Sequence, residues 1–333
     1  MLVALLVLSL ITAFATVPID TGPLLSSPHP AADYASAVAR FDAMRARDSG
    51  LVMSDGASLS YVHGQRTPRA VVLIHGLTNS PRQFRDLALL LSERGDNVIV
   101  PRLPFHGLLA ADVEVLRDVT AERYRSYADT AVDIARGLGD TVIVVGLSAG
   151  GNVAIWIVQH RADVARVVII SPALTLARIP HLLAAPTMNV LERVPNFTIR
   201  QRPDTLRPHA YFGVSTRGLG ETLRLGASVM EDVERDPPRV RDIAMLLNDN
   251  DRTVSERSAL SLVERWRTRD GVAVTLYRFP RALGLPHDLV DVSQRCGMPA
   301  VVYPVIIALM DRRAIPDAGK QPPPCAEAAT DVK

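Results

Sequence analysis

Residues 141–151 read T-V-I-V-V-G-L-S-A-G-G, and the chain continues N-V-A-I-W-I-V. A continuous apolar run without alternation suits a strand buried on both faces of a parallel sheet. It is followed at once by small residues and then by a helical stretch over 149–160. Gly146, Ser148 and Gly150 form G-x-S-x-G between the strand and the helix, the context in which a serine is lifted above a sheet on a sharp, strained turn. Side chains two residues either side of such a serine would collide, which accounts for the two glycines. The helix N-terminus then faces the serine and favours developing negative charge there. Ser148 is the candidate nucleophile.

The surrounding sequence repeats the strand–helix alternation. Residues 69–75 (R-A-V-V-L-I-H) form a second buried apolar run. Ser80-Pro81 predicts the N-cap and first position of a helix that stops at Gly95. Further strands are expected at 97–101 and 167–171, with a helix over 121–138. The alternation breaks near Thr175 and resumes with a strand at 242–247, a helix at 255–267, a strand at 272–279 and a helix at 299–311. This pattern predicts a doubly wound, mostly parallel α/β sheet. The core would comprise 33–174 and 239–313. Residues 175–238, rich in Pro, Gly and Arg, are expected to form a helical cap or lid over the carboxyl ends of the strands. Residues 314–333 are expected to be a disordered tail.

Composition limits the alternatives. The 333 residues are 48% hydrophobic and 22% charged, with a formal net charge of +2. That balance gives no concentrated basic face for nucleic acid. Two cysteines, Cys296 and Cys325, exclude a four-cysteine zinc site. No metal-ligand cluster is evident, and no cofactor or metal is expected. Residues 1–17 begin M-L-V-A-L-L-V-L and form an uncharged apolar run with Ala13 and Ala15 in an A-x-A-like arrangement. They read as a signal-peptide core or an uncleaved membrane anchor, although no Lys or Arg precedes the run. Residues 18–32 read as a linker. The expected location is therefore exported (periplasmic or secreted) or membrane-anchored, and Cys296 and Cys325 can then pair.

Acyl transfer at a serine needs backbone N–H donors for the oxyanion. One follows the nucleophile and belongs to Ala149. The other belongs to the loop after an earlier strand. Here that loop is H-G-L-T-N, residues 75–79, with Leu77 as donor and Gly76 allowing close approach. His75 ends a buried strand ahead of the nucleophile and is assigned a loop-ordering role.

The segments V-V-L-I-H-G-L-T-N-S-P-R-Q-F, P-R-L-P-F-H-G and V-V-G-L-S-A-G-G resemble bacterial carboxylesterases and monoacylglycerol lipases of the α/β-hydrolase fold. The resemblance covers roughly 59–312 and is strongest over 69–172. In that family the second segment usually ends G-H-G; Phe105 replaces the first glycine, which is expected to change the shape of the loop bordering the site. Family order places the acid and then the histidine after the serine. Of the histidines after Ser148, His160 ends a helix, and His181 and His209 fall in the insertion. His287, in L-G-L-P-H-D-L after the last strand, stands where the family places its base. The loop N-D-N-D-R-T-V offers Asp249 and Asp251, and the resemblance favours Asp251. Asp288 is not expected to turn back onto its neighbour His287.

The resemblance implies a carboxylic ester hydrolase acting on a small-molecule ester through an acyl-enzyme. Thioesterase, lactonase and C–C bond hydrolase remain open, because the same three residues serve each of them. So does a non-catalytic binding member of the fold. Short apolar clusters in the cap (Leu174, Leu176, Ile179, Leu182 and Leu183; Met188, Val190, Leu191 and Val194; Leu219, Leu223, Leu225, Val229 and Met230) predict an apolar groove above Ser148 suited to an acyl chain.

Overall fold

The computed structural model describes residues 9, 12–17, 19, 22, 24–48, 50–109, 112–201 and 209–317. Its elements in chain order are α1 (Tyr34–Ala46), β1 (Leu59–Tyr61), β2 (Thr67–Ile74), α2 (Arg85–Glu93), β3 (Asn97–Val100), α3 (Ala121–Leu138), β4 (Gly139–Leu147), α4 (Ala149–His160) and β5 (Arg166–Ile170). They continue as α5 (Ala184–Arg193), β6 (Thr198–Arg200), β7 (Gly213–Ser215), α6 (Thr216–Arg235), β8 (Asp242–Asn248), α7 (Glu256–Arg267), β9 (Ala273–Phe279) and α8 (Pro299–Asp311).

The apolar runs become one seven-stranded sheet in the order β1-β3-β2-β4-β5-β8-β9. Every neighbouring pair is parallel except β1 with β3. β1 is too short and too polar to have stood out in the sequence. Period-two alternation divides β2 between two cores. Ala70, Val72 and Ile74 pack with α3 and α4 on one face, while Val71 and Leu73 pack with α2 and α8 on the other. Strand order reverses between β3-β2 and β2-β4, so the loops after β2 and β4 flank a crevice at the carboxyl edge of the sheet. Ile74 is in register with Gly146, which brings the 75–79 loop beside Ser148.

Two boundaries differ from expectation. Residues 24–31, read as linker, are a strap bound to α3 and α4. Trp156 Nε1 donates to Leu24 O at 2.7 Å. Ser27 N donates to Asp129 Oδ2 at 2.9 Å and His29 N to Asp133 Oδ2 at 2.8 Å. Leu24 and Ala31 are buried. Short polar residues and prolines look like a linker because most of the hydrogen bonds holding this strap use its backbone, which leaves little pattern in the side chains. The second difference is α6, expected to lie within the inserted cap. Leu225, Val229 and Val233 place its second half in the main core. A parallel β5-to-β8 connection needs a crossover element covering the sheet face, and α6 supplies it.

Between β5 and α6, α5 packs on α6, and β6 pairs with β7 as a separate two-stranded sheet. The helical turn at 12–16 lies on α5: Asn189 Nδ2 donates to Ala15 O at 2.9 Å and Arg193 to Phe14 O at 3.1 Å. No helix among the described residues is long and apolar enough to cross a membrane. Cys325 and most of the expected tail lie outside the described residues, so the expected Cys296–Cys325 pairing does too.

Candidate active site

Ser148 sits between the end of β4 and the start of α4 with φ 59° and ψ −115°. A non-glycine residue at positive φ is strained and persists only where its surroundings hold it. Here Ser148 N donates to Ile170 O at 3.0 Å, and Ser148 O accepts from Asn152 N and Ala173 N, each at 3.1 Å. A Cβ on Gly150 would stand 2.2 Å from Ile74 O, so no side chain fits there.

Ser148 Oγ lies 3.0 Å from His287 Nε2, and His287 Nδ1 lies 2.6 Å from Asp251 Oδ2. The other oxygen of Asp251 accepts the amides of Thr253 at 2.8 Å and Val254 at 3.1 Å. Burial pushes the Asp251 carboxyl up. The His287 hydrogen bond and charge and the two amides outweigh that and hold it below the usual carboxylate range. Asp249 points elsewhere, onto Arg278 Nε at 2.8 Å. The structure therefore brings Asp251, and not Asp249, to His287. The acid and base loops are tied by two residues that sequence reasoning missed. Asn248 Nδ2 donates to Leu285 O at 3.1 Å and Pro286 O at 3.0 Å, and Asn250 Nδ2 to Leu285 O at 3.0 Å. The N-D-N-D run carried both asparagines, but nothing in it pointed to a loop 35 residues further on.

Ala149 opens α4, and the first N–H groups of a helix lack an i−4 carbonyl. Among the described residues no carbonyl takes the Ala149 or the Leu77 N–H. Gly76 lies against Ser148, where a Cβ would come 3.4 Å from the serine Cβ. His75 is buried; its Nε2 accepts Leu103 N at 3.0 Å and its Nδ1 contacts Gly76 O at 3.0 Å. Desolvation and the nearby His106 and Arg102 press its pKa well down, so the ring is neutral. It is placed to join two loops and does not reach the serine relay.

Phe105 takes φ 67°, a backbone region that glycine occupies readily and phenylalanine does not. Its carbonyl accepts Tyr211 Oη at 3.2 Å, and its ring lies 4.8 Å under the Arg123 guanidinium. Leu108 N donates to the same Tyr211 hydroxyl at 2.8 Å, and Tyr211 N donates to Thr78 O at 2.7 Å. Tyr211, between β6 and β7, thus joins the Phe105 loop to the 75–79 loop. Beside it, buried His209 pairs with Asp291 at 2.9 Å.

Asp288 turns away from His287. It accepts Gln83 Nε2 at 2.7 Å and Asn79 Nδ2 at 3.1 Å. Burial and the Asp291 charge push its carboxyl up, against the pull of these donors. An apolar cavity forms in and beside the inserted region. It holds about 350 Å³ between α5, α6 and α7, lined by Leu176, Ile179, Met188, Leu223 and Met230. Ser148 is not among its lining residues; Leu176, which lines it, forms an antiparallel bridge with Val254, three residues after Asp251. This cavity is therefore not the expected groove directly above the serine.

A match to the Alpha/beta hydrolase family spans residues 71–296, from β2 to beyond His287. A thermostable monoacylglycerol lipase of Bacillus sp. (strain H-257) is 28% identical over 123 residues, covering 35% of this chain and 46% of that protein. The chain thus aligns with about half the length of that relative. A structure from work on LipS and LipT, two metagenome-derived lipolytic enzymes, superposes with a TM-score of 0.57 at 19% identity, covering 79% of this chain and all of its own. A monoglyceride lipase from Saccharomyces cerevisiae gives 0.56 at 14% identity, covering 77% of this chain and 90% of that one. At these identities the structures speak for the fold. The family match covers well over half of the sequence, and the chain belongs to the alpha/beta hydrolase family.

Proposed function

We propose that this protein is a serine hydrolase that cleaves uncharged carboxylic esters through an acyl-enzyme on Ser148. The observation that carries the reading is the continuous hydrogen-bonded chain from Ser148 Oγ through His287 to Asp251. In this reading Ser148 Oγ attacks the ester carbonyl while His287 Nε2 accepts its proton. Asp251 holds the proton on Nδ1 and stabilises the imidazolium. The carbonyl oxygen becomes an oxyanion facing the Ala149 and Leu77 amides. Collapse expels the alcohol, which takes the proton back from His287, and water then releases the acid by the same steps in reverse order.

The relatives named as monoacylglycerol lipases support an ester substrate, and the apolar cavity between α5 and α6, linked to the Asp251 loop through the Leu176–Val254 bridge, is the feature that would take an acyl chain of short to medium length. Turnover of acetyl, butyryl, octanoyl and palmitoyl p-nitrophenyl esters tests this. A peak within the series and loss of hydrolysis in Ser148→Ala are expected. A flat profile, or preference for an anionic acyl group, contradicts it.

We also propose that residues 1–17 direct export or anchor the chain at a membrane, supported by their uncharged, mostly apolar character. N-terminal sequencing of the natively produced protein, with membrane fractionation, checks this. A full-length chain starting at Met1 and found only in the soluble cytoplasmic fraction contradicts it.

A further inference from the structure

The Leu77 N–H is useful only if it points at the oxygen on which charge develops. The Leu77 side chain has no polar group with which to aim it; its own peptide is held at Gly76 O by His75 Nδ1 at 3.0 Å and Asn79 N at 3.3 Å, and the neighbouring peptides complete the frame. On one side, the Gly76 N–H donates to Gln83 Oε1 at 2.8 Å. On the other, Tyr211 N holds Thr78 O.

Gln83 is buried, and its amide has only one workable orientation. Its Nε2 donates to Asp288 Oδ2 at 2.7 Å. A carboxylate can only accept, so it must face the amide nitrogen, and the amide oxygen is then turned to Gly76. Asp288 is itself fixed. Asn79 Nδ2 at 3.1 Å and Gln294 Nε2 at 3.0 Å share the oxygen used by Gln83. The other oxygen accepts Val290 N at 3.3 Å and Asp291 N at 3.2 Å. Every partner is a donor, and none is His287. A buried carboxylate directly after the proposed base therefore serves the opposite loop.

We propose, resting on the ester-hydrolase reading above, that Gln83 is a positioning residue for the oxyanion hole, with Asp288 as the strut that sets the base loop and the oxyanion loop together. A shift of the 287–291 backbone moves Asp288, which moves Gln83, which tilts the Gly76–Leu77 peptide. Proton acceptor and oxyanion donor are thereby held in one frame, although they lie over 200 residues apart in the chain.

The test compares Gln83→Leu with Gln294→Leu. Both remove a donor from the same Asp288 oxygen, and only Gln83 touches the 75–79 loop. The readouts are kcat and KM on p-nitrophenyl butyrate, the inhibition constant of a butyl boronic acid, and Tm. A boronic acid forms a tetrahedral adduct on the serine, and its oxygen samples the oxyanion position. Gln83→Leu is expected to lower kcat about 10- to 100-fold, with KM changed less than about threefold. The boronate should weaken by a factor similar to the loss in kcat. Gln294→Leu is expected to keep kcat within about threefold even if its Tm falls as far. Should Gln83→Leu not fold, Gln83→Met fills the slot with a flexible chain and takes its place. A folded Gln83 variant with kcat within about threefold of wild type overturns the proposal, as does an equal loss in Gln294→Leu. A wild-type protein that neither hydrolyses the ester nor binds the boronate overturns the ester reading, and this inference with it.

Discussion

The carbonyl oxygen of Gly150 lies 2.2 Å from the point where a Cβ on Gly146 would stand. The strand leaving the sheet and the helix returning to it pass so closely that two backbones fill the space of a side chain. This approach forces Ser148 to positive φ and raises its hydroxyl above the sheet edge.

Gly146→Ala and Gly150→Ala should therefore damage the site more than the fold. In each the nearest atom is backbone and cannot swing aside. A stability loss of about 1–3 kcal/mol is expected for the overpacking. Thermal unfolding with parallel ester kinetics checks this. Activity in either variant should fall well beyond what the unfolded fraction explains.

Asp251→Asn should lower kcat on p-nitrophenyl esters by about 10²–10⁴-fold, since an amide no longer fixes the imidazole tautomer. Asp249→Asn loses only the pairing with the partly exposed Arg278 and should stay within about threefold. The reverse ranking would move the acid to Asp249.

The Asp251 carboxyl also predicts a pH effect. Its folded pKa lies below the ordinary 3.8, chiefly because the His287 bond and two amides outweigh burial. A depressed carboxylate contributes stability that is complete above its unfolded pKa and is lost as pH falls through its folded pKa. Wild type should therefore lose stability more steeply than Asp251→Asn as the pH drops below 3.8. Denaturant unfolding of both proteins across the acid range checks the slope. Parallel slopes would show that Asp251 is not specially stabilised as the anion.

The 24–31 strap gives a prediction about the N-terminus. A chain starting at residue 24 keeps the bonds to Trp156, Asp129 and Asp133, whereas one starting at residue 33 loses them all. At about 1 kcal/mol per hydrogen bond, plus the burial of Leu24, the shorter chain should be less stable by roughly 3–5 kcal/mol. Equal Tm values for the two chains would show that the strap contributes nothing.

The sequence carried much of the fold because its signals were local. The runs at 69–75 and 141–147 had to be buried strands, and G-L-S-A-G between strand and helix had to be a tight turn. Ser148 and His287 could be read from such local patterns and family order. Gln83, Asn248 and Asp288 could not, since Asn248 and Asp288 find partners far along the chain, Gln83 works through Asp288 some 200 residues away, and the three look like ordinary polar residues. The strap was misread for the same reason. The boundary of α6 was missed because its apolar face is interrupted by Gly218, Gly220 and Gly226. At Gly218 a Cβ would stand 2.5 Å from the backbone oxygen of Leu116, too close for a side chain.

In the proposed reaction one hydroxyl, that of Ser148, carries the covalent step. The most direct measurement is intact and peptide mass analysis after reaction with a fluorophosphonate, with residual ester hydrolysis followed in parallel. One phosphonyl group per chain is expected, located on the peptide containing Ser148, with hydrolysis lost in proportion to labelling and no labelling of Ser148→Ala. Labelling at another residue, or ester hydrolysis surviving in Ser148→Ala, would contradict it.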